Sequence, residues 1–86
     1  MIKLKLYSNG DKHWVLDFRL HRANGPAVTW DDGTNFWYWC GLRHRVDGPA
    51  IIDNDGSDGG KWWYWHGQEV TEYEHMMLSA QEQAND

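Results

Sequence analysis

"HRANGPA" at residues 21–27 returns as "HRVDGPA" at residues 44–50, and this repetition decides the fold. A shift of 23 positions pairs His21 with His44, Arg22 with Arg45, Gly25 with Gly48, Pro26 with Pro49, Ala27 with Ala50, Asp32 with Asp55 and Gly33 with Gly56. Seven identities at one offset mark a repeat unit. The shift also runs backwards, pairing Gly10 with Gly33 and Trp14 with Trp37, so the N-terminal segment is a partial copy. Forwards, "FWYWCG" at 36–41 matches "WWYWHG" at 62–67 at an offset of 26, which puts three inserted residues within "DGSDGG". Val70 and Thr71 stand where a third His-Arg would fall, and there the array ends.

Each unit holds two extended segments joined by turn chemistry. "PAVTW" and "PAIID" are rich in β-formers, and each is soon followed by Asp-Gly, a strong hairpin signal. The aromatic runs "TNFWYWC" and "KWWYW" then suit a pleated strand. Gly41 and Gly67 close those strands. "ANGP" and "VDGP" form the next reversal, where Asn or Asp before Gly tolerates positive φ and Pro fixes re-entry into extended backbone. The expected fold is mainly β: an antiparallel meander of about six short strands built from roughly 23-residue hairpin repeats, plus one C-terminal helix. The single domain, 1–86, divides into N-terminal strands and a partial repeat (1–20), a repeat (21–43), a repeat with an insertion (44–71) and the helix (72–82).

Alternation along the strands puts Trp14, Trp37 and Trp63 on one face with Leu16, Trp39 and Trp65, and these six are expected to stack as an apolar ladder. The opposite face carries His13, Val15, Phe36, Tyr38, Trp62 and Tyr64. A sheet apolar on both faces needs two covers. The sequence supplies one of them. Thr71 and Glu74 form a capping-box pattern, and Tyr73, Met76, Met77 and Ala80 make a helical stripe able to pack on one face.

Composition narrows the function. Eighty-six residues allow a modest core, burying roughly 60% of the unfolded chain's surface. Seven Trp, four Tyr and two Phe exceed what such a core requires. Eight Lys and Arg against thirteen Asp and Glu give a net charge of −5, which disfavours nucleic acid and anionic membranes as partners. A single cysteine, Cys40, rules out an intramolecular disulfide framework and fits a reducing compartment, so the cytoplasm is the expected location. "MIKLKLY" alternates apolar residues with lysines and reads as a first strand, not as a signal peptide or membrane span.

The repeated "HR-x-(D/N)-GPA … DG … W … G" unit, over about residues 9–71, resembles the MORN-like repeat family, in the short variant found in many small proteins of bacteriophages and bacteria. The resemblance implies successive β-hairpins in a single curved sheet, serving as a scaffold or binding surface. The better-known MORN pattern has a Tyr-x-Gly-x-Trp core, whereas this chain has "FWYWCG" and "WWYWHG", so lipid-binding roles proposed for some MORN proteins are not carried over.

Candidate sites divide into corners and faces. His21, Arg22, His44 and Arg45, with Gly25, Pro26, Gly48 and Pro49, read as structural repeat corners. In that reading each Arg pairs with a carboxylate such as Asp32, Asp47 or Asp55, and each His bonds a turn carbonyl. The competing reading is a basic stripe for a phosphate or an acidic partner. "DNDGSDGG" at 53–60 invites calcium, but a loop starting at Asp53 has Asp58 and Tyr64 where a calcium-binding loop needs glycine and an acid. Cys40 lacks any metal-ligand spacing and reads as an apolar filler, and no catalytic constellation, metal site or cofactor is expected. The binding candidates are therefore Phe36, Tyr38, Trp62, Tyr64, His44 and Arg45. The expected function is a non-enzymatic protein-binding module, phage-encoded and acting in the host cytoplasm on a host defence protein, as an anti-CRISPR or other anti-defence inhibitor does. The alternatives are a self-assembling repeat protein, including a homodimer, and a ligand-binding or hydrolytic protein using the His-Arg motif.

Overall fold

The computed structural model describes residues 1–56 and 58–84 and is mainly β with one C-terminal helix. The strands are β1 (Ile2–Leu6), β2 (Lys12–Leu16), β3 (Arg19–Leu20), β4 (Val28–Thr29), β5 (Asn35–Phe36), β6 (Tyr38–Trp39), β7 (Leu42–Arg43), β8 (Ile51–Ile52), β9 (Lys61–Trp65) and β10 (Gln68–Val70). Helix α1 spans Glu72–Ala84, two residues beyond the expected end. The main sheet runs β1-β2-β4-β5-β8-β9-β10, with β3 also on β2, and every pairing is antiparallel. β6 and β7 form a separate hairpin. The expected six strands become ten because the corners break each returning strand in two, β3 from β4 and β7 from β8, the strand through Trp37 divides into β5 and β6, and β10 adds a strand after the last aromatic one.

The backbone explains why the corner phrase is written twice. The His21 N–H donates to the carbonyl of Trp14 at 3.0 Å, and the Trp14 N–H donates to the carbonyl of Ala27 at 2.7 Å. One repeat later His44 donates to Trp37 at 3.2 Å, and Trp37 to Ala50 at 2.7 Å. Each seven-residue corner is thus pinned at both ends to one tryptophan. Ala27 and Ala50 are fully buried there, and with Val28 and Ile51 they are the buried apolar residues among those described. Such a small core leaves stability to polar and aromatic contacts around the corners.

Inside each corner the arginine folds back. Arg22 donates through Nη1 to the Pro26 carbonyl at 3.3 Å and lies 4.5 Å over the Trp14 ring. Arg45 donates to the Pro49 carbonyl at 3.2 Å and lies 3.9 Å over Trp37. The apolar ladder expected from the sequence is therefore interleaved: guanidinium on Trp14 and Trp37, and imidazole on Trp39 and Trp65. Apolar side chains alone do not complete the ladder, because a flat delocalised cation covers an indole equally well.

Gly25 and Gly48 also differ from expectation, since positive φ is found at other glycines and not at these two. Their role is to leave room for the arginine: a Cβ on Gly48 would lie 2.9 Å from Arg45 Cζ, and one on Gly25 3.1 Å from Arg22 Cζ, so the guanidinium would have to move aside. Gly48→Ala is expected to lift Arg45 off Trp37 and lower stability by about 1–2 kcal/mol, slightly more than Gly25→Ala. Urea midpoints of the two variants would check the order.

Left-handed backbone sits instead at the hairpin tips. Cys40-Gly41 (φ 50° and 83°) and His66-Gly67 (46° and 88°) have two successive positive φ values, as a two-residue type I′ turn requires. Asp17-Phe18 (49° and 68°) is the equivalent tip in the partial repeat, with Phe in the glycine position. For an L-residue that conformation costs about 1–2 kcal/mol.

Helix α1 stands where a third corner would be. Its capping box is formed reciprocally: the Glu74 N–H donates to Thr71 Oγ1 at 3.0 Å, and the Thr71 N–H to Glu74 Oε1 at 2.8 Å. The helix docks through polar groups rather than through its methionines. His75, 4% exposed, donates through Nε2 to the Arg45 carbonyl, and Ser79 Oγ donates to the Val46 carbonyl at 2.8 Å. Of the expected stripe, Tyr73, Met76 and Met77 stay more than half exposed and Ala80 is exposed as well, with Met76 and Ala80 lining an open groove against Val46, Pro49 and Trp63.

Candidate interaction face

With the helix on the Trp63 side of the sheet, the opposite face is open. Cross-strand pairing sets Lys5 beside His13, His13 beside Val28, Val28 beside Phe36, Phe36 beside Ile51 and Ile51 beside Trp62, all on that face. Rings run along it: Tyr7 to His13 at 4.7 Å, His13 to Trp30 at 5.6 Å, Trp30 to Phe36 at 6.0 Å, and Phe36 stacked on Tyr38 at 6.3 Å. Tyr7, Trp30 and Trp62 are 46%, 38% and 39% exposed. Four of the sequence-chosen residues, Phe36, Tyr38, Trp62 and Tyr64, gather here.

Arg43 joins them. Its Nε donates to the Tyr38 hydroxyl at 3.4 Å and its Nη1 to the Tyr64 hydroxyl at 3.3 Å, while the guanidinium lies 5.4 Å over Phe36 and 5.3 Å over Tyr64. The Tyr38 hydroxyl bond is the largest cause holding the Arg43 pKa above its ordinary value, so the group stays charged. Phe36, Arg43, Ile51, Trp62, Tyr64 and Glu69 line a shallow depression of about 300 Å³. Arg43 thus ties the two tyrosine hydroxyls together beside Phe36. Sequence reasoning missed Arg43, although the signal was present: at this one repeat position stand Leu20, Arg43 and Glu69, an apolar, a basic and an acidic residue.

His44 and Arg45 do not belong to this face; they sit in the second corner. His44 is 9% exposed, and its Nδ1 accepts the His66 N–H at 2.9 Å, just as His21 Nδ1 accepts the Cys40 N–H at 3.0 Å. Each corner histidine therefore holds the left-handed tip of the next hairpin. It accepts from an amide there and does not bond a turn carbonyl as expected from the sequence. Burial is the main cause pushing the His44 pKa down from 6.5 to about 4, with smaller contributions from His66 and His75. Arg45 pairs with Asp47 at 3.0 Å, one of the expected carboxylates, whereas Asn24 occupies that place beside Arg22. Both arginines lie over a tryptophan of the preceding strand.

Cys40 is exposed at its hairpin tip and is not a strand filler. Among the described residues no group of three His, Cys, Asp or Glu side chains could hold a metal ion, and Ser57 of the acidic loop lies outside them. No helix among them is long and apolar enough to cross a membrane. Compared with protein-family models, curated proteins and solved structures, the chain matches none.

Proposed function

We propose that this chain is a non-enzymatic protein-binding module whose contact surface is the aromatic face built from Phe36, Tyr38, Trp62 and Tyr64 around Arg43. The observation that carries the reading is the cross-bracing of Tyr38 and Tyr64 by Arg43 on a face the helix leaves open. Trp, Tyr and Arg are the residues most enriched in binding hot spots, and rings fixed in advance lose little entropy when a partner covers them. Membership of the MORN-like family, which we propose on the corner phrase, fits a scaffold that presents such a surface. In its most specific form the proposal is a bacteriophage protein that inhibits a host defence protein in the cytoplasm.

The test is a pulldown from bacterial lysate with the wild-type chain beside Trp62→Ala and Arg43→Ala. A stoichiometric partner should be retained by the wild type and lose affinity by at least about 2 kcal/mol in each variant. A partner retained equally by all three would move the contact surface elsewhere. Sedimentation that shows the chain covering this face with its own copies would replace the module by a self-assembling protein.

A further inference from the structure

We propose that the open edge of β1, together with Phe18, receives an extended acidic segment of a partner protein as an added strand. This second interaction surface lies at the N-terminal end of the sheet and shares no residue with the aromatic contact set.

Three observations converge on it. The first is backbone. β1 is an edge strand, exposed at all five residues, and among the described residues pairs only with β2. The Tyr7 N–H bonds the Asp11 carbonyl at 3.0 Å, so the antiparallel alternation directs the Lys5 and Lys3 backbones toward β2 and those of Leu6, Leu4 and Ile2 toward the free side. A row of donors and acceptors is left ready for another strand.

The second is Phe18. Its equivalents at the other hairpin tips are Gly41 and Gly67, yet a fully exposed phenylalanine holds φ +68° here. Folding gains little from this residue: its backbone lies in the left-handed region and it is fully exposed. A strained, fully presented aromatic points to a contact made outside the chain. Phe18 lines one groove with Met1, Lys3, Lys5, Val15 and Asp17, which sets it beside the open edge.

The third is charge. In a chain of net charge −5, Lys3 and Lys5 project from one side of β1, and Ile2, Leu4 and Leu6 from the other. A second copy pairing antiparallel about Leu4 would set Lys3 against Lys5, a like-charge juxtaposition that opposes self-pairing. A segment alternating acidic and apolar residues meets both sides at once: carboxylates on Lys3 and Lys5, apolar groups beside Leu4 and Leu6, and its end against Phe18.

The probe is a labelled peptide of alternating Val and Glu, about nine residues long, compared with its Val and Lys counterpart. The full chain should bind the acidic peptide saturably, and the Ile2, Leu4 and Leu6 amides should gain protection from hydrogen exchange. Lys3→Glu with Lys5→Glu should weaken binding by at least about tenfold. Phe18→Gly should do the same while raising the unfolding midpoint, so that lost binding cannot be ascribed to lost folding. Equal binding of the two peptides, unchanged affinity in Phe18→Gly, or no new protection in β1 would each overturn the proposal. So would dimerisation through β1 in preference to peptide uptake.

Discussion

His44→Ala is expected to be among the most destabilising single substitutions in this protein, lowering unfolding free energy by about 2–4 kcal/mol. Its imidazole Nδ1 accepts the His66 N–H at 2.9 Å, at a turn whose positive φ is already unfavourable for a non-glycine residue. The ring also stacks on His66 at 4.0 Å and meets the edge of Trp65 at 4.6 Å. Truncation removes the acceptor, orphans a partly buried amide and opens a void beneath the helix. His21→Ala, at the equivalent position, loses the Cys40 N–H bond and the contact with Trp39 at 4.2 Å, but no helix lies over it. It should cost less, and urea denaturation of both variants would check the difference. Equal losses would mean that the helix adds nothing to the second corner.

The comparison between corners shows how far the residues alone could be read. The hairpin period, the antiparallel sheet, the first strand and the capping box follow from patterns in the chain, because local propensity and the fold agree there. The same patterns could not show what lies between repeats. Nothing in "HRANGPA" says that its arginine covers the tryptophan of the preceding strand, or that its histidine holds a turn nineteen residues ahead at Cys40. These contacts join segments distant in sequence, and a periodic pattern is silent about them. Of the binding candidates, the four aromatics were legible through strand alternation. His44 and Arg45 sit in the second corner, away from those aromatics. Arg43 and Phe18 were legible only as departures from the repeat, at positions where the other copies carry Leu20 and Glu69, or Gly41 and Gly67.

Acid should loosen the C-terminal third of the sheet before the rest. His44 has an ordinary pKa of 6.5, which burial, His66 and His75 push down to about 4 in the folded chain. Between those values the unfolded chain binds more protons at this position than the folded one, so stability falls as the pH drops from 6.5 and the loss is complete below about 4. Water reaching the turn screens the penalty, leaving it on the order of 1–2 kcal/mol. The structural cause is specific: a proton on Nδ1 abolishes the acceptor for the His66 N–H and places a cation beside His66 and His75. His75 in turn anchors α1 to the Arg45 carbonyl, so the tip between β9 and β10 and the helix should respond together. Asp32, whose carboxyl is held below 3.8 chiefly by the Thr34 N–H, titrates beneath this window and does not account for a change within it. His44→Asn places an amide oxygen close to where Nδ1 sits, keeping an acceptor that does not titrate. Thermal midpoints taken from pH 7 to pH 4 should fall steeply for the wild type and more gently for His44→Asn, with hydrogen exchange at the His66 amide rising first. Parallel curves for the two proteins would remove His44 as the source of the acid response.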